Sequence, residues 1–272
     1  MDFDEGNTRA AAEEYTTAWL KQRGVDSATL SQVSVRHTMW EVDTRSLGPD
    51  FRRSFGQLFA FRIDVRRYAA TAIDTLATTY NLPIEPSDRL HRRAYYGAHL
   101  RTEQDTVSAG WFNPNTATEV GLNYTEQTDA YLSHAAEHGL RTMYVATGNA
   151  TELERFKVKA AASEPPVVVT SKWDLLPVEE AEALAKLDWD QQALVDMEIL
   201  MRCSVFGGFA KSSFSFAIAV ARNAYLEAQG MPLGHNWRMR ELDGQVAFDD
   251  GLSRILGRNE LNERKCPRGC WP

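Results

Sequence analysis

Between residues 93 and 229 short apolar runs alternate with helical patterns, and few architectures accept that rhythm. Strands are predicted at 93–99, 141–147, 166–170 and 204–207. Helices are predicted between and after them, at about 123–138, 151–161, 178–186, 190–202 and 213–229. Strands separated by helices cannot pair through tight hairpins, so they must run parallel, joined by right-handed crossovers. The expected fold class is therefore α/β: a Rossmann-like parallel sheet with helices on both faces, preceded by an N-terminal helical segment. The expected division is a helical region at 1–80, a nucleotide-binding layer at 81–229, and an extension and tail at 230–272.

The N-terminal region reads as two helices, 7–23 and 52–80, the second ended by Asn81-Leu82-Pro83. Its predicted apolar face includes Phe55, Leu58, Ile63, Val65, Tyr68, Ala72, Ile73 and Leu76. Arg52, Arg53, Arg62, Arg66 and Arg67 have the spacing of a solvated face on that helix, or of a basic patch. A net charge of -7 weighs against a broad nucleic-acid footprint. No apolar run approaches the roughly 18 residues that a membrane span needs. The acidic start Met1-Asp2-Phe3-Asp4-Glu5 lacks the marks of a secretory leader, so the default expectation is a cytoplasmic protein. Cys203 lies in an apolar run, whereas Cys266 and Cys270 stand in a Pro/Gly-containing tail and could pair or remain free.

Chemistry concentrates where the strands end. Tyr95-Tyr96-Gly97-Ala98-His99-Leu100-Arg101-Thr102-Glu103 closes an apolar strand with a His, an Arg and a Glu, the end at which open α/β sheets bind ligands. Arg101 is suited to clamp a diphosphate, or else to pair with Glu103 or Asp105. Ser204-Val205-Phe206-Gly207-Gly208-Phe209-Ala210-Lys211-Ser212-Ser213-Phe214-Ser215 joins a strand to a helix. Its glycines are expected to bring the backbone close to a ligand. Ser212 and Ser213 would open the helix, as an anion site or as an ordinary cap. Thr147, Asn149, Thr170 and Lys172 end the other two strands, so the crevice is expected to be polar and partly cationic.

Taken in order, His99-Leu100-Arg101-Thr102-Glu103, Tyr144-Val145-Ala146-Thr147-Gly148, Lys172-Trp173-Asp174-Leu175-Leu176, Asp190-Gln191-Gln192-Ala193-Leu194-Val195-Asp196 and the Phe206-to-Ser215 segment resemble the GDP-fucose protein O-fucosyltransferase superfamily, most closely its fungal branch. The likeness covers about residues 52–229. It implies the C-terminal half of a GT-B fold, with a reduced N-terminal domain, and a metal-independent transferase without a cofactor. It also implies a nucleotide-sugar donor, a GDP-sugar such as GDP-fucose, and a hydroxyl acceptor. By that resemblance His99, Arg101, Thr147, Ser212, Ser213 and Phe214 hold the nucleotide. Arg101 and Glu103 are the candidate catalytic residues, the first stabilising the departing diphosphate and the second, with Asp105, placed as a base. The position at which several members of the family place a guanine-reading aspartate is Ser204 here.

Two other readings accompany this one. The chain is a nucleotide-binding module without transfer activity, or the scaffold serves fungal specialised metabolism with another activated substrate, such as aminoacyl-tRNA in cyclodipeptide synthesis. A homo-oligomer is left open.

Overall fold

The computed structural model describes residues 61–108, 123–210, 212–230 and 246–257, all within one compact unit, Phe61–Cys270. The helix predicted at 7–23, the start of the one at 52–80, and Cys266 and Cys270 lie outside the described residues. The chain opens with α1 (Ile63–Tyr80), followed by β1 (Tyr96–His99), α2 (Gln104–Ser108), α3 (Tyr124–Glu137), β2 (Thr142–Ala146) and α4 (Ala150–Ala161). It continues with β3 (Val168–Thr170), α5 (Lys172–Leu175), α6 (Val178–Ala185), α7 (Trp189–Arg202), β4 (Val205–Phe209), α8 (Ser213–Ala228), β5 (Val246–Asp249) and β6 (Ser253–Leu256).

The six strands form one sheet in the order β3-β2-β1-β4-β6-β5, parallel except for β5 at the edge. All four strands expected from the sequence belong to it. Two further strands, β5 and β6, come from the stretch read as an extension and tail. They are four residues each, too short for periodicity to distinguish them from loop.

Alternating side chains in the strands build two cores. Tyr95, Tyr144, Phe206 and Ile255 join one cluster with α1, α7 and α8, while Tyr96, Ala98, Met143, Val145 and Val205 join the other with α3 and α4. Helices thus cover both faces. In α1 the buried residues are Val65, Tyr68, Ala69, Ala72, Ile73 and Leu76, a stripe that repeats every three or four positions. Ile63, predicted on that stripe, is 77% exposed. Arg62, Arg66 and Arg67 are exposed, which is the solvated-face reading. Asn81 stops the helix in the left-handed region (φ 51°), where Asn is tolerated.

Gly207 and Gly208 correct one expectation. Both lie inside β4, and neither turns the backbone toward a ligand. They are small because neighbours occupy their side-chain space. A Cβ on Gly207 would stand 2.1 Å from the Tyr96 hydroxyl and 2.7 Å from the Tyr131 ring, and one on Gly208 would stand 2.7 Å from Ser215 Cβ. Gly207→Ala is expected to destabilise the fold by about 1–3 kcal/mol through overpacking. Urea denaturation checks this, and an unchanged midpoint would show that the two tyrosines yield freely.

Candidate functional site

In this strand order the chain moves outward from β1 through β2 to β3, then returns to the other side of β1 with β4. The topological switch point therefore lies between β1 and β4, and the crevice beyond their carboxyl ends is where such sheets bind ligands. Two groups of side chains converge on this edge, joined through the residues that follow β1.

The first group lies at the switch point itself. His99 ends β1 and is buried, with its carbonyl accepting from the Tyr131 hydroxyl at 2.7 Å. Its Nδ1 is 2.7 Å from Ser215 Oγ in the first turn of α8, and Ser215 Oγ also accepts from Phe209 N–H at 3.0 Å. A neutral His99 satisfies both contacts either with the Ser215 hydroxyl donating to Nδ1, which puts the ring proton on Nε2, or with Nδ1–H donating to Ser215 Oγ. Nε2 has no hydrogen-bond partner among the described residues. The space that Gly208 leaves open is what lets Ser215 reach both partners.

Around this pair, the half-buried Phe214 ring lies 4.8 Å from the His99 ring. Ser212 is buried, and its Oγ accepts from Ser215 N–H at 3.4 Å, the bond of an ordinary N-cap. Ser213 is exposed. The amides of Ser213 and Phe214, in the first turn of a 16-residue helix, have no partner within that helix. Ser215 escaped the sequence reading because a serine in a first turn looks like capping. Its bond to His99 becomes visible only when β1 is placed beside α8.

The second group spans the ends of β1 and β2. Arg101 is nearly buried and donates to Glu103 Oε2 at 2.6 Å and to both carboxylate oxygens of Asp105 at 3.0 and 2.5 Å. Glu103 Oε1 accepts from Gly148 N–H at 2.7 Å and from the Thr147 hydroxyl at 3.3 Å. Gln127 of α3 brackets the Arg101 peptide, accepting from its N–H at 3.1 Å and donating to its carbonyl at 3.2 Å. Arg101 thus enters the ion pairs that its sequence neighbours allowed. Burial pushes the Glu103 carboxyl up, but His99, the Gly148 N–H and Arg101 outweigh that and hold it below its ordinary value. Both Glu103 oxygens are engaged, so it serves here as a tie between strand ends and would have to shed partners to act as a base.

Two predicted members of the crevice are withdrawn from it. Lys172 is buried and paired with Asp196, and Thr170 is buried, so neither gives the crevice a cationic or polar wall. Ser204 lies at the opposite edge, before β4, where its Oγ accepts from Ala94 and Tyr95 N–H and donates to the His91 carbonyl. Trp189 was not singled out from the sequence. It is 58% exposed at the start of α7, with its indole Nε1 3.0 Å from where a Cβ on Gly148 would stand. No cluster among the described residues brings together three or more His, Cys, Asp or Glu suited to a metal ion. Nor is any described helix long and apolar enough to cross a membrane.

Burial lowers the pKa of His99 to about 4, with Glu103 pulling it up and Arg101 pushing it down. His91 and His134 are lowered to about 4 as well, first by burial. The unfolded chain protonates these residues near 6.5, and the folded chain only near 4. Between these values the unfolded state binds more protons, so stability is expected to fall as pH drops from 6.5 to 4 and to be insensitive to these groups above that window. Thermal melting across this range checks the sign; a midpoint that rises on acidification would contradict it.

No family model and no curated protein matches this chain. What stands is an α/β domain with a mostly parallel six-stranded sheet flanked by helices and a polar carboxyl edge at its switch point.

Proposed function

We propose that the carboxyl edge of this sheet binds a nucleotide sugar, a GDP-sugar first among them, and that the diphosphate is the leaving group in transfer of the sugar to a hydroxyl acceptor. One observation carries the reading: at the β1/β4 switch point a neutral, buried His99 meets the amino end of α8. The helix end offers free N–H groups and a positive dipole to an anion. In the tautomer in which Ser215 donates to Nδ1, His99 Nε2–H adds a donor that needs no counter-charge of its own.

Arg101 takes part by exchanging a partner. Asp105 is 62% exposed in its side chain, so its bond to Arg101 contributes little stability and a diphosphate oxygen can replace it. Glu103, nearly buried, keeps Arg101 aimed. As the acceptor oxygen bonds to the anomeric carbon and the bond to the diphosphate breaks, Asp105, once released, is the carboxylate free to take the acceptor proton. A second reading, binding without transfer, draws on the single sheet among the described residues, because a GT-B reaction lies between two such layers.

Titration calorimetry against GDP, UDP and their sugars tests the binding, and radiolabelled GDP-fucose tests the transfer. One-to-one binding of GDP is expected. Ser213→Glu should weaken it about ten-fold while leaving the fold as stable or slightly more so, since a carboxylate at that position favours the helix and repels the diphosphate. Binding without turnover would select the second reading. No binding of any of these ligands would reject the site.

A further inference from the structure

The proposed site accounts for a diphosphate, but it leaves an aromatic wall without a use. Trp189 stands over Gly148 at the carboxyl end of β2, 58% exposed, and its indole N–H has no partner among the described residues. Glu103 lies against the same point, its Cγ 3.3 Å from where a Cβ on Gly148 would stand, so the indole and the Arg101–Glu103 group flank one glycine. Gly148 is the shelf. Any side chain there would press on both Trp189 and Glu103.

A second exposed indole follows β3. Trp173 of α5 is 40% exposed, and the Lys172 ammonium sits 5.2 Å from its ring. The same ammonium donates to the Gln192 carbonyl of α7 at 3.0 Å, which fixes α5 beside the first turns of the helix that carries Trp189. Large aromatic side chains half out of the surface lose apolar burial unless a ligand or partner covers them. Here one is held on the four-residue α5 and the other in the first turn of the 14-residue α7, where it meets Gly148 after β2.

We infer that Trp189 is the stacking platform for the base of a purine nucleotide whose diphosphate sits at His99 and the amino end of α8. This rests on the reading of that site as a nucleotide site. The spacing agrees: β2 is one strand beyond β1, so the shelf lies about 7 Å across the sheet from the β1/β4 gap, a span that a ribose bridges. The intervening surface is the Glu103–Arg101–Asp105 group: Arg101 is the part that meets the diphosphate, while Glu103, against Gly148, can accept from ribose hydroxyls and disfavours a further phosphate there. The occupant of the shelf should therefore be an uncharged, flat group. A base fits that description, and its face stacks on an indole whatever its hydrogen-bonding edge.

Calorimetry on the full chain with GDP, UDP and inorganic pyrophosphate tests this. Trp189→Ala is expected to weaken GDP binding by about ten-fold or more, in keeping with the loss of one base–aromatic stack, while pyrophosphate affinity changes by less than about two-fold. Trp189→Phe should restore most of the GDP affinity, and GDP should bind the parent chain more tightly than UDP. Thermal melting should show Trp189→Ala as stable as the parent, since the ring is exposed. Unchanged GDP affinity in Trp189→Ala would overturn the inference and leave the phosphate site standing. A parent chain that binds pyrophosphate as tightly as GDP would also overturn it. Failure to bind either ligand would reject the underlying site as well. Sedimentation showing that Trp189→Ala breaks up a dimer, with GDP affinity intact, would assign the indole to a subunit interface instead.

Discussion

Arg222→Ala is expected to lower the unfolding free energy by about 4 kcal/mol, because it removes a buried charge that several carbonyl groups depend on. Arg222 is 2% exposed on α8. It donates to Ser253 Oγ at 3.0 Å, to the carbonyls of Met201 and Cys203 at 3.2 and 2.5 Å, and to those of Ser204 and Leu252 at 3.1 and 3.2 Å. These carbonyls come from the carboxyl end of α7 and from the residues leading into β4 and β6. The negative end of the α7 dipole offsets the guanidinium, which explains how a cation is held there by carbonyls. Lysine cannot replace it: three donors on a point charge do not reach partners spread around a planar fork. Arg222→Lys should therefore lose most of the same stability in urea denaturation. The residue lies at the amino edge of the sheet, away from the candidate site, so GDP affinity measured well below the melting temperature should not change. A loss under about 1 kcal/mol would mean that water satisfies these carbonyls as well as Arg222 does.

Asp196→Ala should cost about 3–5 kcal/mol, for a related reason. Asp196 accepts from the Tyr144 hydroxyl at 2.6 Å and pairs with the Lys172 ammonium, tying β2, α5 and α7 together behind the sheet. Both charged side chains are under a tenth exposed. Without Asp196 the ammonium is left buried with only the Gln192 carbonyl, and the tyrosine hydroxyl loses its acceptor. Burial, with Asp196 beside it, pushes the Tyr144 phenol well up, so it remains a donor at any ordinary pH. Lys172→Met should be similarly damaging. The double variant Lys172→Met, Asp196→Ala should lose clearly less than the sum of the two single variants, since it leaves no unpaired charge in the interior. Denaturant midpoints for the two single variants and the double variant measure the coupling. Additive losses would show that the two side chains do not depend on each other.

The alternation of strands and helices was legible because β1, β2 and β4 are buried on both faces and the helices are apolar on one, which leaves a clear pattern from Tyr96 to Phe209. The sequence also showed which strand ends carry polar groups. It did not show how those groups pair, because pairing depends on which strands become neighbours. Arg101 sits beside Glu103 in the sequence, so its ion pair was foreseeable, whereas Lys172 and Asp196 meet only because α5 and α7 share a face. The two glycines of β4 were read as a ligand-hugging turn. That reading holds for glycines outside a strand, but here they make room for Tyr96, Tyr131 and Ser215. β5 and β6 went unread because they are short and owe their place to β4, which supplies the edge they extend.

The most direct test of the central claim is a crystal structure of the chain with GDP bound. The account predicts phosphate oxygens within hydrogen-bond distance of His99 Nε2 and of the Ser213 and Phe214 amides, at the gap between β1 and β4. GDP ordered elsewhere on the protein, with those three groups facing only water, would contradict it.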